Sequence, residues 1–210
     1  ELINNTWVQS DTSCTVEKKL GIFLSEARIS NKILQQELAS MIPVSILSSH
    51  LKRQNIAAKV NVQFLDMCSA PGSKTNQLLS TLDTIMSKET NAETDYTIVA
   101  NELNQNRAHS LKQRLHQQSG SNSLKNLVIT CADGCDYAAM DQNSFDYIIC
   151  DVPCSGDGTI RKSPKILNKW SPKNAAKNKP LQMQLLKVGL GLLKPSADGT
   201  EESSGFLLYS

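Results

Sequence analysis

The chain has 210 residues, 40% of them hydrophobic, enough for one domain with a sizeable core. It contains no run of about 18 apolar residues, which excludes a membrane-spanning helix, and the opening ELINNTWVQSD has neither the basic start nor the apolar run of a signal peptide. A net charge of +2 decides little, but between Asp157 and Asp198 every charged residue is basic, the one-sign stretch that a polyphosphate partner selects.

Residues 1–14 are polar and weakly patterned, an irregular lead-in. From Val16, the spacing of Leu20, Phe23, Leu24 and Ala27 predicts one helix, and Ile33, Leu34, Leu38 and Met41 predict a second. Pro43 suits the first position of a third short helix bearing Val44, Leu47 and Leu51. Residues 1–52 are thus expected as a helical lead-in to a domain over 53–210. The run Val62 to Met67 predicts the first strand, followed by CSAPGSKT and a helix with Leu78, Leu79, Leu82, Ile85 and Met86. A second strand is expected over Tyr96 to Glu102, then a helix over Asn104 to Gln118 with Ala108, Leu111 and Leu115 inward and Arg107 outward. Leu127 to Ala132 reads as a third strand, ending at Asp133. The fourth lies in FDYIICDVPCSGDGTIR, where an apolar run stops at Asp151, Pro153, Gly156 and Gly158 and leaves a carboxylate and the Cys154 thiol at a strand end. Leu181 to Leu193 predicts a helix after Pro180, and Phe206 to Ser210 a last strand. Strands alternating with helices imply an α/β fold, a doubly wound, mostly parallel sheet.

The six cysteines form no C-x-x-C pair, which argues for reduced thiols in an intracellular compartment. Cys131 and Cys135 are four apart, but no histidine or second pair completes a zinc set, so no metal is expected. Cys14, Cys131, Cys135 and Cys150 read as packing residues, and His50, His109 and His116 as solvated.

The loop DMCSAPGSKT lies between a strand and a helix, where backbone N–H groups can hold a polar ligand. It matches neither the Walker spacing nor G-x-G-x-x-G, so no phosphate cradle is expected. The next three strands end in Glu102, Asp133 and Asp151. A carboxylate at the second strand end can take two ribose hydroxyls, and one at the third can accept from an adenine amino group. Together they point to an adenosine-containing cofactor without phosphates, S-adenosylmethionine.

DMCSAPGSKT, ANE, CADG and DVPCSGDGTIRKSP, in this order, resemble the RNA 5-methylcytosine methyltransferases of the Nol/Nop/Sun family. ASMIP at residues 39–43, Trp170 and the helix before FLLYS are similar to its eukaryotic tRNA-modifying branch, and the likeness runs from about Val16 to Ser210. The resemblance implies a Rossmann-like methyltransferase fold with short N-terminal helices, an excerpt whose last strands are missing. It implies that Cys68, Ser69, Ala70, Pro71, Gly72, Ser73 and Lys74 hold the methionine end of S-adenosylmethionine, Glu102 the ribose and Asp133 the adenine. Asp151 would serve the methionine end and the target base, and Cys154 would be the catalytic thiol that releases the product. Glu102 stands where Asp is usual, which keeps the charge on a longer arm. The nucleophile that adds to cytosine C6 is expected in a Thr-Cys pair directly after Ser210. RNA, and tRNA in particular, is the implied partner, with a nuclear or nucleolar location. Arg161, Lys162, Lys165, Lys169 and Trp170 are candidates for RNA contact, since an aromatic can stack on an unpaired base while cations hold phosphates.

Two other readings compete. A cofactor- and RNA-binding module without turnover would share every motif except the thiol chemistry. An exocyclic-amine methyltransferase would carry Asp/Asn-Pro-Pro-aromatic at the fourth strand end, and Val152 and Cys154 speak against it.

Overall fold

The computed structural model describes residues 13–30, 33, 36–87, 95–118, 123–140, 142–161, 163–168, 170–195 and 205–210. It divides into two compact units, Glu1–Gln36 and Glu37–Ser210. The first holds helix α1, Ser13–Ile29. The second opens with α2, Leu38–Arg53, which packs on α3, Ser73–Met86.

One helix stands where two short ones were expected, because Pro43 lies inside α2 instead of opening a new helix. A proline in a helix interior removes one backbone hydrogen bond and costs about 3 kcal/mol. It falls here in the second turn, and the helix buries Val44, Leu47 and Leu51, each worth about 1.5–3 kcal/mol. Burial outweighs the lost bond. Leu34, assigned to the second expected helix, lies outside the described residues.

The sheet has five strands, β1 (Val62–Asp66), β2 (Tyr96–Asn101), β3 (Leu127–Thr130), β4 (Tyr147–Cys150) and β5 (Phe206–Tyr209). Their order is β3-β2-β1-β4-β5, and every pairing is parallel. Parallel neighbours need crossovers. These are α3, α4 (Gln105–Gln118), the 3-10 helix Gly134–Ala139, and the pair α5 (Pro172–Ala176) and α6 (Lys179–Leu192). The doubly wound α/β fold expected from the sequence is therefore present.

Side chains alternate across the sheet with period two. On one face Phe64, Ile98, Tyr147 and Ile149 pack with Leu47 and Leu51 of α2, Leu78 and Leu82 of α3, and Leu111 and Leu115 of α4. On the other, Leu65, Ile148 and Cys150 pack with Tyr137 and with Leu185, Val188 and Leu192 of α6. His50, expected to be solvated, instead stacks on Phe206 with ring centroids 4.5 Å apart and meets Tyr147 edge-on. Its place in the last turn of α2, over β5, puts the imidazole among aromatics, and burial lowers its pKa.

Strand order reverses between β1 and β4: the chain moves outward through β2 and β3, then returns to the other side of β1. In open α/β sheets ligands bind outside the carboxyl ends of the strands at such a point.

Candidate active site

A cavity of about 340 Å³ lies at that point, bordered by the ends of β1, β2, β3 and β4. Its wall brings together Cys68, Ala70, Glu102, Asp133, Asp151 and Cys154, and Leu103, Val152, Leu181 and Leu185 supply apolar surface.

After β1 the chain turns sharply into α3. Gly72 caps that helix with φ of +99°, and a Cβ there would stand 2.6 Å from Leu111 Cδ1, so both the backbone and the packing of α4 ask for glycine. The Ala70–Pro71 peptide is cis. Ser69 is turned away from the cavity: its N–H and Oγ both donate to the Asn101 carbonyl, at 2.8 and 2.9 Å. Pro71 and Ser73 are also absent from the cavity wall. Lys74 reaches across to Asp151, Nζ to Oδ2 at 2.5 Å, and also donates to Ser40 Oγ at 3.3 Å. Beneath the loop, Asp66 is buried and accepts from Thr75 Oγ1 at 2.8 Å. Burial pushes the Asp66 carboxyl up to about 7, and pushes the thiols of Cys68 and Cys150 up to about 12. A thiol at that value stays protonated near neutral pH, and Cys68 lines the cavity.

The β2 end is fixed by Asn101. Its Nδ2 donates to the carbonyls of Met67 and Ala132, and its Oδ1 accepts from Thr130 Oγ1 and the Ala132 N–H, so one buried amide ties three strand ends together. Glu102 follows, 3% exposed, accepting from the Asn104 N–H at 3.0 Å. Arg107 is exposed, as expected, and also reaches the cavity rim: it lies 3.3 Å from Glu102 Oε1 and donates to the Ala70 carbonyl at 2.9 Å. Burial of Glu102 without a cation would be costly, and Arg107 supplies one from the first turn of α4. Asp133 caps the 3-10 helix by accepting from the Cys135 N–H at 2.9 Å.

The loop after β4 carries Asp151 and the exposed Cys154. Gln182 of α6 donates to the Pro153 carbonyl at 2.9 Å, and Gly156, with φ of +74°, turns the chain back on itself. Asp151 also accepts from Ser210 Oγ at 3.0 Å. The cysteines Cys68, Cys131, Cys135, Cys150 and Cys154 are free thiols, with Cys150 buried as a packing residue and Cys131 exposed instead.

Residues 54–210 match the family described as 16S rRNA methyltransferase RsmB/F. The chain belongs to this family, within the Nol/Nop/Sun RNA methyltransferases. It is 34% identical over 198 residues to the multisite-specific tRNA:(cytosine-C(5))-methyltransferase of Saccharomyces cerevisiae, covering 90% of this chain and 25% of that one. It is likewise 34% identical over 204 residues to the ribosomal RNA small subunit methyltransferase F of Aliivibrio salmonicida, covering 97% of this chain and 36% of the relative. The chain therefore spans between a quarter and just over a third of these relatives. The crystal structure of NSun6 from Pyrococcus horikoshii with SFG superposes with a TM-score of 0.57 at 18% identity, over 81% of this chain and 37% of that one, and shares its fold.

Within this RsmB/F member, the RNA-contact candidates separate. Lys165 and Trp170 line a second cavity, whereas Arg161 pairs with Glu37 at 2.6 Å. Lys162 and Lys169 lie outside the described residues. Arg107 and Asn101 were missed as site residues. The sequence carries a signal for each: an arginine five positions after a strand-end acid, and an amide closing the apolar run IVA of the strand YTIVAN. Among the described residues no helix is long and apolar enough to cross a membrane, and no group of three or more His, Cys, Asp or Glu could hold a metal ion.

Proposed function

We propose that this protein transfers a methyl group from S-adenosylmethionine to C5 of cytosine in RNA, and in tRNA in particular. The observation that carries the proposal is the convergence of three carboxylates and the exposed Cys154 thiol on one cavity at the sheet's switch point. The donor set fits the cofactor. Glu102, Asp133 and Asp151 ring the cavity with acceptors, and the two nearby cations, Lys74 and Arg107, are each paired with a carboxylate. Such a ring repels phosphates but suits hydroxyls, an adenine amino group and a positively charged ligand. Glu102 would hold the ribose, Asp133 the adenine, and Cys68, Ala70 and Asp151 the amino-acid end. Bound there, the cofactor supplies an electrophilic methyl group.

The chain's own residues then serve the base. Cytosine C5 is a weak nucleophile until a thiolate adds to C6. Cys154 would take part after transfer, when the C5 proton must leave so that the attacking thiol can be expelled. Lys74 and Ser210 hold Asp151 from two sides, which fixes a carboxylate next to the base. The attacking cysteine belongs in a Thr-Cys pair following Ser210. In support, Ser210 at the end of β5 sets its hydroxyl on Asp151, a residue of the same cavity wall as Cys154. This chemistry needs reduced thiols, hence an intracellular place of action, and the likeness to the eukaryotic tRNA branch favours the nucleus.

Full-length protein given methyl-labelled cofactor should label cytosine C5 in tRNA transcripts in preference to ribosomal RNA. The Cys154→Ala variant should stay covalently attached to its RNA on a denaturing gel. Turnover by that variant at the wild-type rate would reject the two-thiol mechanism, and no labelling of any RNA by the wild type would leave a binding module without turnover.

A further inference from the structure

A second cavity, of about 360 Å³, opens beside the Cys154 loop and has no role in the chemistry above. It is lined by Ser155, Ser163, Lys165, Ile166, Trp170 and Asn174. Ser155 directly follows Cys154, so the cavity begins about 3.8 Å along the backbone from the residue that carries the thiol.

Asp157 accepts from Ser155 Oγ, which, with a smaller contribution from the nearby Trp170 side chain, holds its carboxyl below the ordinary value. The Trp170 backbone N–H donates to the Ile166 carbonyl at 2.9 Å, and Ile166 Cδ1 packs 3.6 Å from where a Cβ on Gly156 would stand. The Trp170 backbone, Ile166 and the Cys154 loop are thus tied together, while the Trp170 side chain remains 43% exposed, in a cavity that Ile166, a lysine, two serines and an asparagine also line. A half-exposed ring lining a cavity with a lysine and polar groups suits an unpaired nucleobase, which stacks on aromatic faces while a lysine meets its phosphate.

We propose that this cavity is a second nucleobase subsite, an inference that rests on the RNA-methyltransferase reading above. It takes the base adjacent in the strand to the cytosine at Cys154, stacked on Trp170, with Lys165 at the phosphate and Ser163 and Asn174 at the base's polar edge. Holding the neighbour in this way offsets part of the unstacking that presenting the target base requires.

The test uses full-length protein and single-stranded RNA with an abasic residue immediately 5′ or 3′ of the cytosine, with affinity read by fluorescence anisotropy. One of the two abasic substitutions should weaken wild-type binding by about 5- to 150-fold, the range of one base–aromatic stack. Trp170→Ala should weaken binding to intact RNA by the same factor and show no further loss on that abasic RNA, whereas Trp170→Phe, which keeps a ring but not the N–H, should lose much less. If neither abasic RNA binds more than about twofold weaker, or if the Trp170→Ala and abasic losses simply multiply, the subsite does not exist. Replacing the target cytosine by uridine separates the two ideas. Methylation that survives this replacement overturns the cytosine reading, whereas cytosine-dependent methylation with indifferent flanks removes the subsite alone.

Discussion

Replacing Asp66 with Asn should flatten the pH dependence of stability between about pH 4 and 7. The carboxyl is buried at the end of β1, accepts from Thr75 Oγ1, and leaves Oδ1 without a partner. Burial pushes its pKa from 3.8 up to about 7, with the Asp151 charge adding to the rise and Thr75 and Lys74 opposing it. In the unfolded chain the same carboxyl ionises near its ordinary value, so in the window between the two values the folded state binds more protons. Stability then falls as pH rises, by at most about 1.4 kcal/mol per pH unit. The stabilisation is fully present below about pH 4 and lost once pH has risen through about 7. A gap of about three pKa units amounts to roughly 4 kcal/mol. Asparagine stays neutral throughout and keeps an oxygen for Thr75, at a pH-independent cost for its buried amide. Urea unfolding of both proteins at steps from about pH 4 to 8 gives the difference in stability, which should drift by roughly 4 kcal/mol in favour of the Asp66→Asn variant as pH rises. A difference constant to within about 1 kcal/mol across that range would show that Asp66 ionises normally and would refute the reasoning.

Gly72→Ala should destabilise by about 2–5 kcal/mol, the sum of a left-handed backbone cost and overpacking against Leu111, read from the urea midpoint. A change below about 0.5 kcal/mol would mean that the loop and α4 move apart freely. Thiol labelling followed by mass spectrometry near pH 8 should modify the exposed Cys154 well before Cys68 or Cys150, whose thiols burial holds at about 12. Prior labelling of Cys68 would contradict the buried loop.

What could be read from the sequence was whatever depends on neighbours along the chain. Each of the first four strands announces itself as an apolar run stopped by an acid, so local pattern alone assigns Glu102, Asp133 and Asp151 to one sheet edge, and parallel crossovers bring them around one cavity. Contacts between distant segments could not be read. Arg107 is exposed, as its polar helix side suggested, but its reach to Glu102 and the Ala70 carbonyl depends on the distant β1 loop and could not be read. His50 looked solvated because nothing local predicts that α2 lies over Phe206. Pro43 looked like a helix start because its local cost is visible and the compensating burial of Val44, Leu47 and Leu51 is not.

The last strand shows the same limit at the site itself. FLLY is apolar on both faces, so its alternation does not choose between registers, although a slip by one residue would exchange every side chain between the faces. Shape chooses instead. Leu207 Cδ1 lies 2.7 Å from where a Cβ on Gly189 would stand, so it fits against α6 only where that helix has no side chain, while Phe206 on the opposite face stacks against His50. With Leu207 and Phe206 fixed in this way, Tyr147 pairs with Phe206 and Cys150 with Tyr209. Ser210 then donates its N–H to the Cys150 carbonyl, accepts from the Val152 N–H, and sets its hydroxyl on Asp151. A glycine in α6 and a histidine in α2, neither of them in the cavity, thus place the end of β5 against the carboxylate next to Cys154.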